Sequence, residues 1–536
     1  MRRKIANLLN SANSVRQATG ILVVTAAVSN VLGLVRNTVI AKNIPLGLQD
    51  NFWSAFILPD IIFNILIFGA ISSAFIPLFR GLLVKRDEDT AWEMAGAFMV
   101  RMTGLVMLLA VILFFTLPRL SQLIFPSIPT DSLREVVLLS RILLIQTILM
   151  GWSYIVGGIL NAKQRFVAYS LSPIMYNTAI IVGALLAPYY KGQAVTVLIW
   201  SVVVGALLHL MIQLPSLFTL GFRWRYLNIR PNEFTREIVA LMTPRSIALG
   251  ITSVNTVIFA AIARNLMLPG ALSIYRLVES FQTAPIAIFA NAVAVALFPT
   301  LTEHASRQDW TKFSDALVKA IRFVMFTLIP STVLFIVLRA QIIRLYIGLG
   351  SSTDWSETIS AINVFGWMAI GMLPSGLIAV FARSFYALKN TVIPMLAAAF
   401  TLVFGATTAY FLAVTTSLDV TGLAIATTAA AMVQVIILYI AYIRIVKRHL
   451  PEGEITLTAT RTAIASLGMA EAMWLTLKLV DWLYNHTATT LTTRTILGLF
   501  LQTGAALVVG LVVFAFIASL FLKEEIGWLR SRRKTV

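Results

Sequence analysis

"SNVLGLVRNTVIAK" (29–42) lies inside an apolar run that opens near Thr19 and closes at the Pro45 loop. About 20 consecutive apolar residues are enough for a helix to cross the hydrocarbon core of a bilayer. Arg36 stands in the second half of this run, with Asn30 and Asn37 beside it. An arginine at such depth is costly unless it snorkels, pairs or meets water. The run sets the fold class, and the arginine sets the functional question.

Outward from it, the sequence predicts about fourteen hydrophobic segments: 17–44, 50–82, 93–117, 134–161, 168–189, 193–219, 236–264, 270–301, 312–338, 357–387, 391–414, 419–446, 459–480 and 495–522. The composition agrees. Of 536 residues, 58% are hydrophobic and 12% charged, against about 25% charged in soluble domains. The expected class is an all-α polytopic membrane protein, because only helices and closed barrels satisfy their backbone in lipid. The first segment is too long for a cleavable signal and no small-residue cleavage site follows it. With no cysteine in the chain, disulfides, Cys-ligated zinc and thiol chemistry are excluded. The four histidines, His209, His304, His449 and His486, have no metal-binding spacing, so neither metal nor cofactor is expected.

The net charge of +19 would suggest nucleic acid on a soluble protein. Here its distribution explains it. Arg2, Arg3, Lys4 and Arg16 precede the first segment, and Arg80, Lys85 and Arg86 follow the second. Basic residues recur after every further even-numbered segment as far as Arg530, Arg532, Arg533 and Lys534, while the intervening loops are poorer. This alternation predicts both termini in the cytoplasm and no nucleic-acid partner. Residues 1–16, with Ile5, Leu8 and Leu9, read as a basic interfacial helix.

"FGAISSAFIPLF" (68–79) ends the second segment and "ANAVAVALFPTL" (290–301) the eighth. "GGILNAKQRF" (157–166) ends the fourth and "ARSFYALKNT" (382–391) the tenth. The offset of six spans predicts parallel repeats, as in transporters whose site lies between two lobes. The expected division is a first lobe at 17–219, a second at 220–447, and a terminal helix pair with a basic tail at 448–536.

Ser29, Gly33 and Arg36, with Asn30 and Asn37, form one small polar helix face. Close helix packing accounts for the small residues. For Arg36, two readings stand: it faces an aqueous cavity, or it snorkels or makes a structural ion pair. Asp50, Asp60 and Asn64 occupy the second span, Asp50 either starting that helix or gating. Asp60 lies deep enough to meet an arginine. Arg245 lies near a cytoplasmic end and Arg264 at an interface. Arg276 and Glu279, at i and i+3, either form a local ion pair, or Arg276, with Ser280 extending its face, lines one cavity with Arg36. Arginine suits phosphate because its planar fork makes bidentate contacts. His209 reads as a packed, hydrogen-bonded residue, and no inward acidic pair offers enzyme chemistry.

Residues 29–79, "GILNAKQRFVAYSLSPIMYN" (158–177) and "FYALKNTVIP" (385–394) resemble the MurJ/MviN family, lipid II flippases of peptidoglycan synthesis within the multidrug/oligosaccharidyl-lipid/polysaccharide exporter superfamily. The resemblance implies fourteen helices, two six-helix lobes around a central cationic cavity, and a terminal helix pair that shelters the lipid tail. It implies rocking of the lobes to carry the diphosphate-sugar headgroup outward across the bacterial cytoplasmic membrane. It places Arg36 and Asp50 at family positions. Where the family has cavity arginines, this chain has Asn30, Phe63 and Ser280. Acidic family positions fall at Asn37, Phe68 and Glu279, and Arg276 is one turn from the missing arginine of the eighth helix.

The substrate-contact expectation is Arg36, Arg276, Arg245, Asn30, Asn37 and Ser280, with Asp50, Asp60, Asn64 and Glu279 as structural or gating groups. The expected ligand is lipid II or a related undecaprenyl-diphosphate glycolipid, with membrane lipids and cell-wall synthesis proteins as partners. Two alternatives are a flippase for another polyprenyl-diphosphate-linked glycan and a non-transporting scaffold.

Overall fold

The computed structural model describes residues 15–68, 71, 75–85, 87–190, 192–227, 234–266, 268–347, 355–446, 450–486, 492–493 and 495–531. Among them are helices and turns and no strand. The first helices are α1 (Val15–Asn43), α2 (Leu46–Ile62), α3 (Ile76–Val84), α4 (Glu88–Ile124), α5 (Thr130–Ala162), α6 (Phe166–Leu186), α7 (Ala194–Met211), α8 (Leu214–Thr219) and α9 (Phe234–Arg264). There follow α10 (Ala271–Pro285), α11 (Ala292–Ser306), α12 (Trp310–Ile347), α13 (Trp355–Ile370), α14 (Met372–Ala387) and α15 (Val392–Val414). The chain ends with α16 (Val420–Val446), α17 (Glu452–His486), α18 (Ile496–Phe521) and α19 (Lys523–Ser531). Residues 1–14 of the expected interfacial helix lie outside the described residues.

Twelve helices among the described residues are long and apolar enough to cross a membrane. Two more stand at the first and seventh expected segments: α1, and α9, whose apolar part is Leu249–Arg264. Large apolar side chains such as Phe115, Val512 and Phe516 lie exposed on these helices, which is the surface a lipid solvent requires. α12 has 38 residues, about 57 Å at 1.5 Å per residue, and so outruns a ~30 Å hydrocarbon core.

The chain divides into two compact units that meet in sequence at Asn265 and Leu266. In the first, α1 packs on α6, α6 on α7, and α5 on α2, α4 and α7. In the second, α17 and α18 pair and dock on α12, while α16 packs on α13, α14 and α15. The seventh helix, assigned from sequence to the second lobe, packs in the first unit, against α2 and α4. Polar ties hold it there. Ser246 donates to the Ile65 carbonyl at 2.7 Å, and Arg264 pairs with Asp50 at 3.3 Å.

Prolines within helices free carbonyls that lipid cannot satisfy. Pro59 lacks the N–H that would bond the Ala55 carbonyl, and Ser140 of α5 donates to that oxygen at 3.0 Å. Pro118 leaves the Phe114 carbonyl, and the Nε of Arg141 donates to it at 3.2 Å. Two consecutive residues of α5 therefore repair the breaks in α2 and α4.

The repetition seen in the sequence has a local structural counterpart in each unit. α2 continues into a π-helical turn at Phe63–Phe68, and α10 into one at Ile286–Asn291, six spans later. After the second span the Asp87 carboxylate accepts from the Thr90 amide at 3.1 Å. After the eighth, Asp309 accepts from the Lys312 amide, also at 3.1 Å. That amide and the Lys312 ammonium hold the Asp309 carboxyl below the usual carboxylate range. The turns after the fourth and tenth spans place Gln164 (φ 59°) and Lys389 (φ 57°) in the left-handed region. Their backbone bonds match: the amides of Arg165 and Asn390 reach back to the carbonyls of Leu160 and Phe385, at 2.7 and 2.9 Å. This is the six-to-one closure of a Schellman cap.

The repair of Pro59 predicts a coupling. Ser140→Ala leaves a carbonyl unsatisfied and costs about 1–3 kcal/mol. In a Pro59→Ala background, where residue 59 regains its amide, the same change costs much less. Thermal melts of the four proteins in detergent check this; equal losses in both backgrounds would refute the repair.

Candidate functional site

The polar face of α1 is built as its spacing predicts, and its partner is α6. The Nε of Arg36 donates to the side-chain oxygen of Asn37 at 2.9 Å. Its NH1 donates to the side-chain oxygen of Asn177 at 3.1 Å. The Asn177 amide nitrogen then reaches Ser29, at 3.3 Å to the carbonyl and 3.4 Å to the hydroxyl. Arg36 is half-buried, and among the described residues it forms no salt bridge. Both partners are neutral acceptors, so the guanidinium is positioned and keeps its charge.

Ser29 and Asn30 also line a cavity of about 240 Å³, closed on other sides by Ser153, Tyr154, Ser170 and His209. Its wall is ordered by a buried network. Ser153 lies 2.6 Å from the Nδ1 of His209, and Gln213 donates to Ser153 at 2.8 Å. His209 is the packed, hydrogen-bonded residue expected from the sequence. It also stacks on Tyr154, with ring centroids 5.9 Å apart. Phe63 packs edge-on against Tyr154 at 5.0 Å. It stands where the resemblance puts a second-helix arginine, so an aromatic wall replaces a cation.

Asn177 was missed in the sequence reading. Its signal was present at the end of "SPIMYN" (172–177), a lone amide in an apolar helix. Tyr176, beside it, lies within electrostatic reach of both Arg36 and Asp60. This places Asp60 near the Arg36 side of the first unit. Asn64 is half-buried within the π-helical turn of Phe63–Phe68. Arg245 lies on α9 at a position whose side chain is outside the described residues.

Asp50 does not start its helix. The cap position is Pro45, without a side-chain bond, and Asp50 is buried in the first turns of α2. Its carboxylate meets Arg264 at 3.3 Å. Arg264 also donates to Asn51, which donates to Glu135 at 2.6 Å. The cluster ties α2, α5 and α9 together.

In the second unit, Arg276 and Glu279 form a 3.0 Å ion pair on α10. The Ser280 hydroxyl is engaged by the Leu277 carbonyl at 2.6 Å. The local ion pair read for Arg276 and Glu279 is present. The described residues contain no group of three or more His, Asp or Glu able to hold a metal ion.

Removing one member of a buried pair strands the other charge. Asp50→Asn and Arg264→Gln are each expected to lower the detergent melting temperature, and the double variant to lose clearly less than their sum. Additive losses would contradict the pairing.

Similarity to known proteins converges on one assignment. The family model described as lipid II flippase MurJ matches residues 47–493. A relative from Treponema pallidum (strain Nichols), named probable lipid II flippase MurJ, is 27% identical over 445 residues, covering 80% of this chain and 82% of its own. One of the same name from Rhizobium meliloti (strain 1021) is 26% identical over 464 residues, covering 85% of each. A solved structure of lipid II flippase MurJ in an inward closed conformation superposes with a TM-score of 0.73 at 20% identity, over 94% of this chain and 99% of that one. An inward-facing MATE family transporter of the MOP superfamily has the same fold, with a TM-score of 0.66 at 14% identity over 78% and 94%. With a multi-pass helical fold and a family match across most of its length, the chain belongs to the MurJ lipid II flippase family.

Proposed function

We propose that the chain flips lipid II from the inner to the outer leaflet of the bacterial cytoplasmic membrane by alternating access, with both termini in the cytoplasm. The observation that carries this reading is Arg36, held by Asn37 and Asn177 and, among the described residues, in no salt bridge. A diphosphate offers oxygens that match the guanidinium fork better than amide oxygens do, since charge-assisted bonds are roughly twice as strong as neutral ones. The headgroup therefore displaces the amide contacts, while Asn30, Asn37 and the hydroxyls of the adjoining cavity take sugar hydroxyls.

In the second unit, Arg276 is the group assigned to phosphate, reached by exchange of its Glu279 partner, with Ser280 beside it. Arg245 is assigned a weaker contact. Asp50 anchors helices, and Asp60 and Asn64 are assigned to gating. A membrane potential negative inside favours outward movement of an anion by ~2.3 kcal/mol per charge per 100 mV. The proposed protein partners are other proteins of cell-wall synthesis.

A second reading rests on Phe63. An aromatic ring against Tyr154 where the resemblance implies an arginine favours a different glycan on the same polyprenyl diphosphate. A non-transporting scaffold, the third reading, tolerates loss of the arginines.

Rescue of a bacterium depleted of its own lipid II flippase tests these readings, scored by lipid II reachable from outside the cell. Wild type is expected to restore it, and Arg36→Ala/Arg276→Ala to fail at equal expression. Asn177→Asp, which sets a carboxylate against Arg36, is expected to cut the signal about tenfold, the effect of some 1.4 kcal/mol. Rescue by the double alanine variant would refute the arginine site. Failure of inserted wild-type protein would refute lipid II as substrate.

A further inference from the structure

α17 carries Glu471, Trp474, Lys478 and Asp481 at i, i+3, i+7 and i+10, one face of a helix long and apolar enough to span the membrane. This face lines a groove of about 730 Å³ shared with α12, α13 and α18, to which α12 adds Arg339 and Gln341. Two cations and two carboxylates thus face one groove. Among the described residues none of the four forms a salt bridge. The Arg339 NH1 donates to the Ile336 carbonyl at 2.8 Å, and the Lys478 ammonium lies 5.9 Å from the Trp474 ring centre. The Gln341 side-chain oxygen is buried with no hydrogen-bond partner.

The groove's lining reaches the last turns of α17 and the first turns of α18. Asp481 lies five residues from the end of α17, and Gln502, which also lines it, six from the start of α18. Glu471 lies fifteen residues from that end, about 22 Å along the axis. The charges therefore run inward from near the end of α17, with Glu471 about 15 Å farther along the axis than Asp481. Charged side chains at such depth are costly, and they are normally paired with one another or face water or a ligand. Hydrocarbon alone would leave the charged part of this groove without partners.

We propose that this groove holds the headgroup of a zwitterionic phospholipid with a primary ammonium. Arg339 and Lys478 take the phosphate, and Asp481, one turn from Lys478 on the same face, takes the ammonium. The acyl chains lie along the exposed apolar flank of α17, where Leu467, Leu475 and Leu479 face outward. An anionic headgroup leaves the Asp481 carboxylate unmatched, and a quaternary choline offers it no N–H donor. The proposal requires only that the chain lie in a bilayer, so it stands or falls separately from lipid II transport.

Full-length protein titrated with phosphatidylethanolamine, phosphatidylglycerol and phosphatidylcholine, read by native mass spectrometry, tests this. Wild type is expected to bind phosphatidylethanolamine about tenfold more tightly than the other two, the effect of one lost charge-assisted hydrogen bond. Asp481→Asn is expected to reduce it to the phosphatidylcholine level, and Arg339→Gln/Lys478→Gln to weaken all three lipids. Asp131→Asn, an exposed carboxylate elsewhere, is expected to change nothing. Equal binding of the three lipids by wild type, a preference for phosphatidylglycerol, or a preference that survives the carboxylate variant overturns the proposal. The wild-type ranking is decisive even if a variant misfolds.

Discussion

A guanidinium at membrane depth held by two neutral amide oxygens is the interaction on which this account depends. Had Arg36 met a carboxylate, the pair would be a structural tie with its charge cancelled, as Arg264 and Asp50 are. Asn37 and Asn177 fix the position of Arg36 and leave its charge in place. The contrast with Arg276, which has a carboxylate at 3.0 Å, is between a cation held by neutral acceptors and one held in an ion pair. The same polar thread passes from Arg36 through Asn177 to Ser29 and so to the wall of a hydroxyl-lined cavity.

That thread needs a rigid frame in a solvent that satisfies no hydrogen bonds. The frame supplies it by local repair. Ser140 and Arg141 close carbonyls opened by Pro59 and Pro118, and Ser246 reaches a carbonyl of the π-helical turn after α2. The matched π-helical turns, aspartate caps and left-handed turns recur six spans apart, as the sequence repeats do. At the other end of the chain Arg322 of α12 meets Glu454 of α17 and Glu524 and Glu525 of α19, so the terminal helices are fastened by charge as well as by packing.

Most of the fold was legible because an apolar run of ~20 residues has few alternatives. The segment read at 391–414 is Val392–Val414, and 419–446 is Val420–Val446. The reading stopped short where charge looked like loop. α12 continues past Arg339 and Arg344 because their donors find the carbonyls of Ile336 and Thr493. α17 begins at Glu452 rather than 459, where two acidic residues in the first turn favour a helix start. The site was legible only in part. Arg36 announced itself by its cost in lipid. Asn177 did not, because its contact crosses 141 positions and a single amide in an apolar helix has no periodic signature. Asp50, in the first turns of its helix, looked like a helix start for the same reason: its partner Arg264 is 214 positions away.

The most direct test of the Arg36 assignment is equilibrium binding of polyprenyl diphosphate and polyprenyl monophosphate to purified protein in lipid nanodiscs, wild type against Arg36→Gln. A guanidinium that keeps its charge for the headgroup predicts that wild type prefers the diphosphate and that Arg36→Gln, with an unchanged melting temperature, loses that preference. Equal discrimination by both proteins would contradict the assignment and leave Arg36 as a packing residue between α1 and α6.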